Sequence, residues 1–169
     1  MIWYVVLVGA IGVERLAELV VAERNRRWSV TRGGTEFGAR HYPVMVVLQT
    51  GLLAGCLLEV SVLHRPFVAA LGFPMLVLVV AAQVLRWWCI TTLGSQWNTR
   101  VIVVPGASRI TGGPYRLIPH PNYVAVVVEG FALPLVHSAW ITALVFTLLN
   151  AALLGARVSV ENAALARLR

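Results

Sequence analysis

Two apolar runs, Val44 to about Leu63 and Phe67 to about Leu93, follow one another with only His64, Arg65 and Pro66 between them. Each matches the ~20 residues that carry a helix across a hydrocarbon core. A backbone placed there must satisfy its own hydrogen bonds, which a helix does within one segment and an isolated strand does not. Three further runs fit the same pattern: Ile2 to Ala22, about Asn122 to Val136, and Ala139 to Ala156, the last two joined by His137 and Ser138. The expectation is an all-α integral membrane protein with about five transmembrane helices, ending in a C-terminal helical hairpin. Composition agrees, because 59% hydrophobic residues in 169 and a mean hydropathy of +0.78 are too apolar for a soluble domain. No internal repeat or low-complexity segment divides the chain, so residues 1–169 read as one membrane domain, with three spans in 1–93 and a second half from 94 to 169.

The charge pattern orients these spans. All 14 basic residues are Arg, against seven Glu, for a net charge of +7. Arg24, Arg26, Arg27, Arg32, Arg40, Arg100, Arg109, Arg116, Arg157, Arg167 and Arg169 fall on one side of the expected spans, and Arg65 falls on the other. The positive-inside bias of membrane loops then puts the N-terminus outside and the C-terminus in the cytoplasm of a cytoplasmic membrane. It also accounts for the Arg excess without nucleic acid, since no basic tract with interleaved aromatics is present. The N-terminus enters an apolar run with neither a basic leader nor an A-x-A site, so a retained first span is expected. Cys56 and Cys89 sit in apolar runs with no second ligand at metal spacing and read as small buried hydrophobes. No metal is expected.

Several polar residues interrupt the pattern. Glu14 and Glu18 share a helix face in the first span, with Arg15 within reach of Glu18 at i, i+3. They read either as an ion-pair staple near the membrane surface or as lining for a polar site. The stretch from Glu23 to Tyr42 reads as a polar loop, with Gly33, Gly34 and Gly38 as turn formers, and neither G-x-G-x-x-G nor a Walker lysine is present. His41 and Tyr42 close that loop as interfacial anchors or substrate contacts. Glu59 lies near the far end of the second span; Arg86, Trp87 and Trp88 near the inner end of the third read as a snorkelling cation beside an aromatic belt, or as ligand contacts. Between Arg100 and Thr111, β-branched residues flank Pro105-Gly106, which predicts a small β-hairpin on the cytoplasmic surface.

Chemistry concentrates between Thr111 and Glu129. Gly112, Gly113 and Pro114 force a turn, while Pro119 and Pro121 bias Ile118 and His120 away from helical geometry. Pro121 suits the first turn of a helix, so Tyr115, His120 and Tyr123 are held at a helix mouth. The short hairpin that follows brings Arg157 and Glu161, four apart on one face, back to the same side. A pocket of donors, acceptors and aromatic faces at a membrane edge suits a water-soluble cofactor meeting a lipid-like substrate. Spacing goes no further.

The pattern Gly113-Pro-Tyr-Arg-x-x-x-His-Pro-Asn-Tyr123, a helix carrying Glu129, and then Arg157-x-x-x-Glu161 resembles the isoprenylcysteine carboxyl methyltransferase family of membrane enzymes, over about Gly94 to Leu168. The first half, with Arg15, Glu18, Asn25, Gly34, Glu36, His41 and Tyr42, looks like the bacterial branch found beside type III polyketide synthases, whose members methylate hydroxyl groups of alkylpyrones and alkylresorcinols. The resemblance implies S-adenosylmethionine as methyl donor, held by Tyr115, His120, Pro121, Tyr123, Arg157 and Glu161. It also implies a lipophilic acceptor arriving from the bilayer, and a functional link to such a synthase. Catalytic expectations fall on His120 or Glu129 as base and Arg116 as oxyanion partner; Glu18, His41, Tyr42 and Trp88 are substrate candidates. Pro119 replaces the family's usual Arg or Lys, which argues against a prenylcysteine carboxylate, and Asn162 replaces the second residue of its acidic pair. The alternatives are an NADPH-dependent reductase of sterol-reductase type and a non-catalytic scaffold or transporter subunit with Glu14, Glu59 and Glu129 along a pathway.

Overall fold

The computed structural model describes residues 1–108 and 110–166, and of residues 162 and 164–166 the backbone alone. The expectations placed on Arg109, Arg167, Arg169 and the Asn162 side chain lie outside the described residues. Five α-helices carry the described chain: α1 (Ile2–Val30), α2 (His41–Val62), α3 (Ala69–Leu93), α4 (Pro121–Leu135) and α5 (Trp140–Ala166). The two short strands are β1 (Thr35–Phe37) and β2 (Val101–Val103). The protein is thus an all-α membrane protein, with His41–Val62, Ala69–Gln96 and Trp140–Glu161 long and apolar enough to cross a membrane. α1 has the length but carries Glu14, Arg15 and Glu18 in the stretch that would cross. α4, at 15 residues, reaches only about 22 Å at 1.5 Å per residue.

α4 lies against both α3 and α5, with α5 in turn against α2. Tyr4, Val8 and Ile11 of α1, Leu52, Cys56 and Val60 of α2, Val79 of α3, Ala132 and Leu133 of α4 and Phe146 of α5 form one buried cluster. Small residues permit that approach, as they do between membrane helices generally. A Cβ on Gly130 would fall 1.9 Å from a ring carbon of Phe146. The buried Tyr4 hydroxyl donates to the Leu133 carbonyl at 3.0 Å, tying α1 to α4.

Glu59 explains how the C-terminal hairpin is anchored. Its carboxylate accepts from the Ile141 and Thr142 backbone N–H groups at 3.2 and 2.7 Å and from the Thr142 hydroxyl at 2.8 Å. Arg65 donates to it at 3.0 Å. A carboxylate from α2 therefore caps the N-terminus of α5, where free N–H groups and the helix dipole favour negative charge. Glu59→Ala should destabilise the protein by about 2 kcal/mol, because a lost cap and two orphaned donors add. Thermal unfolding in detergent measures this, and an unchanged midpoint would refute the cap.

Two sequence expectations are corrected here. The polar loop expected from Glu23 begins only after Val30, because α1 continues for two more turns. Asn25 explains the extension: it is buried, and its Nδ2 donates to the Gly94 and Trp97 carbonyls at 3.0 and 2.8 Å. The expected local hairpin around Pro105-Gly106 is also replaced by a long-range pair. The turn forms, with Ala107 N–H bonded to the Val104 carbonyl, but Val101–Val103 pairs antiparallel with Thr35–Phe37, Glu36 facing Ile102. Arg100 reinforces the pair by donating to Glu36 at 2.8 Å. A β-branched run announces that it needs a partner, and local sequence does not say which one.

Candidate active site

One cavity of about 430 Å³ opens among α1, α2, α5, the 97–111 connection and the mouth of α4. That size falls within the roughly 300–1,000 Å³ of small-molecule sites. It has two polar ends and a mostly apolar wall between them that includes Leu16, Leu53, Val126 and Leu153. Leu16, one of these lining residues, is 63% exposed.

The first polar end is built by the loop before α4 and the last turns of α5. His120 sits just before the helix in a non-helical conformation, with Pro121 as the first helical residue, as the two prolines predict. Its ring stacks on Tyr123, with centroids 5.4 Å apart and planes 20° apart. The Tyr123 hydroxyl donates to Glu161 at 2.6 Å, and His120 Nδ1 lies 3.7 Å from the other Glu161 oxygen. Arg157 is buried and donates to the Thr99 carbonyl at 2.8 Å, with its guanidinium 5.9 Å from the Tyr123 ring centre. Burial pushes the Tyr115 phenol up from its usual range, which keeps it a neutral donor at this wall. Trp97 Nε1, Asn122 Oδ1 and Arg157 Nε are buried without hydrogen-bond partners among the described residues. Two donors and an acceptor are thus left unsatisfied on side chains that line one cavity, and since orphaned buried polar groups are costly, a ligand that reached them would be favoured.

The loop that carries these residues is held from behind. Gly113 has φ +54°, and a Cβ there would lie 2.6 Å from the Thr92 hydroxyl and 3.1 Å from Trp88 Nε1. Only glycine meets both the positive φ and the close approach to α3.

The second polar end is a buried four-charge network. Arg15 donates to Glu18 at 2.5 Å and also to Glu129. Arg86 donates to the same Glu129 oxygen at 2.6 Å. Glu18 is 4%, Arg86 4% and Glu129 1% exposed. Two guanidinium groups and two carboxylates balance, which is what makes charge tolerable at this depth. Arg86 Nε and Glu18 Oε1 face each other at 3.4 Å yet make no hydrogen bond.

Of the residues expected from sequence, Tyr115, His120, Tyr123, Arg157, Glu161 and Glu18 line this cavity. Pro121 is buried at the start of α4 and shapes the backbone without reaching the wall. Glu129 stands behind the lining as counter-ion to both arginines, and Arg116 is exposed and outside it. Trp88 abuts Gly113 instead of the cavity. His41 and Tyr42 border a separate cleft of about 10 Å³ beside Arg100, about one water in size. Arg86 does not snorkel as expected; it is buried and paired across helices. Trp97 was missed as a cavity residue, and nothing local separates it from other interfacial tryptophans. The three carboxylates of the transport reading, Glu14, Glu59 and Glu129, do not line the cavity. Each makes its own contact, Glu14 accepting from Trp87 at 2.5 Å.

The "Uncharacterized protein YpbQ" of Bacillus subtilis (strain 168) is 35% identical over 166 residues, covering 98% of this chain and 96% of the relative. The sequence model of the isoprenylcysteine carboxyl methyltransferase family matches residues 75–167, from within α3 through the His120 and Arg157 segments to the end of α5. The chain is a member of the isoprenylcysteine carboxyl methyltransferase (ICMT) family.

Proposed function

We propose that this membrane methyltransferase transfers a methyl group from S-adenosylmethionine to a hydroxyl of a lipid-like acceptor. The observation that carries the reading is one cavity lined both by Tyr115, His120, Tyr123, Arg157 and Glu161 and by the apolar Leu16, Leu53, Val126 and Leu153. The donor set fits the cofactor. Arg157 and Trp97 Nε1 suit a carboxylate or ring nitrogen, while Glu161 and Asn122 Oδ1 suit an ammonium or ribose hydroxyls. His120 and Tyr123 offer stacked ring faces beside them. When bound there, the cofactor supplies an electrophilic methyl on a sulfonium centre. The residues around it mainly position the acceptor and keep water out, which supplies roughly 7 kcal/mol or more when geometry is near-attack.

Pro119, in place of a cation, favours a hydroxyl acceptor of alkylpyrone or alkylresorcinol type over a prenylcysteine carboxylate. Such an acceptor links the enzyme to a type III polyketide synthase as its supplier. The Arg asymmetry supports five crossings of a bacterial cytoplasmic membrane, the N-terminus outside, with the cofactor end of the cavity on the cytosolic side.

Thermal stability of the detergent-purified protein tests the cofactor. S-adenosylmethionine and S-adenosylhomocysteine at ~100 times their dissociation constants should each add about 2.7 kcal/mol, while NADPH leaves the midpoint unchanged. A shift with NADPH alone would favour a reductase. Silence from all three ligands in folded protein would remove the methyltransferase assignment.

A further inference from the structure

The second polar end of the cavity has no task in holding the cofactor. Glu18 Oε1 and Arg86 Nε belong to side chains that line the cavity; they are buried, face each other as an ion pair at 3.4 Å and make no hydrogen bond, so each keeps an unused acceptor or donor capacity. A group that donates and accepts at once satisfies both. A hydroxyl does this; a carboxylate does not, because it has no proton to give Glu18 and brings a further negative charge. Arg15, Arg86, Glu18 and Glu129 sum to zero charge, so the network has no spare cation for an ionised ligand.

We propose that Glu18 is the proton acceptor for the substrate hydroxyl and that Arg86, aligned by Glu129, holds the oxygen. This assignment rests on the methyltransferase reading above. The hydroxyl O–H bond breaks, its proton passes to Glu18 Oε1, and the bonding pair stays on the oxygen that is then methylated. Negative charge moves from Glu18 to the acceptor oxygen beside Arg86, so the network stays neutral up to methyl transfer. The sulfonium charge is lost as the methyl leaves, and release of the Glu18 proton to solvent then restores the resting network. Both atoms are covered at rest, and seating the hydroxyl takes a small side-chain movement that widens the gap between them. Arg15 donates to both carboxylates and fixes the Glu18 rotamer. His120 is left to the cofactor end, beside Glu161.

The test is a charge swap read with para-dodecylphenol and para-dodecylbenzoate. Their binding is followed by tryptophan fluorescence without any adenosyl compound, and methyl transfer to the phenol is followed at saturating S-adenosylmethionine. Wild type should prefer the phenol. Glu18→Gln leaves a net +1 in the network, so benzoate affinity should rise roughly tenfold or more, while transfer to the phenol falls roughly 100-fold or more. Glu18→Gln with Arg15→Gln restores neutrality: the benzoate gain should vanish and transfer stay low. The double variant also decides the matter if the single one fails to fold, because transfer near the wild-type rate in it would overturn the role of Glu18. Unchanged benzoate affinity in folded Glu18→Gln would overturn the charge argument, whether or not S-adenosylhomocysteine binds. Failure of wild type to bind S-adenosylhomocysteine would instead overturn the reading on which the assignment rests.

Discussion

Arg157→Met is expected to abolish S-adenosylhomocysteine binding at practical concentrations while leaving the protein folded. Arg157 is 7% exposed. It donates to the Thr99 carbonyl and contacts Met45 sulfur at 3.2 Å, yet its Nε is buried without a hydrogen-bond partner among the described residues, on a side chain that lines the cavity. Removing one partner of a buried charge-assisted contact costs about 2–5 kcal/mol, which is roughly 30- to 4,000-fold in affinity. Met keeps most of the volume and the contact with Met45, so the packing of α5 on α2 should survive. Arg157→Lys should rescue little, because an ammonium does not reproduce the planar fork that reaches both Thr99 and a ligand. Titration calorimetry with S-adenosylhomocysteine, paired with thermal unfolding without ligand, separates the two roles. A lowered unligated midpoint with unchanged affinity would make Arg157 a structural strut and move the cofactor carboxylate elsewhere.

The sequence made the membrane class and the convergence of His120 with Arg157 and Glu161 legible for a physical reason. Runs of about 20 apolar residues, prolines around His120 and an i, i+4 pair at Arg157 and Glu161 are local signals, readable within a few residues. Their helices and their convergence on one cavity agree with that reading. What local reading missed was partnership across distance. Val101–Val103 was assigned a neighbour across Pro105 and pairs instead with Thr35–Phe37. Arg86 was read as reaching for the interface, yet Glu129, 43 residues on, holds it in the bundle. A signal existed in that case: a lone cation and a lone carboxylate in separate apolar spans each demand an opposite partner. Glu59 shows the same blindness from another side, because no rule about its own helix says that it caps α5.

Glu129→Leu should be the most damaging single substitution for stability. It would leave Arg15 and Arg86 against Glu18 alone, with one buried cation uncompensated. Breaking such a pair costs about 3–5 kcal/mol, whereas replacing both partners by apolar groups of similar volume is often near neutral. Arg86→Met alone should cost a comparable amount, and the double variant Arg86→Met with Glu129→Leu should recover most of it. A double-mutant cycle on unfolding free energy then gives a large coupling between α3 and α4, where the two helices pack most extensively. Stability and function part company in the double variant. Recovered folding with S-adenosylhomocysteine affinity intact, but no methyl transfer, is the result expected if the network exists to orient the acceptor. Additive single effects, each below about 1 kcal/mol, would mean that the four charges are solvated in the membrane-embedded protein and that Arg86 has no fixed partner to aim it at the substrate.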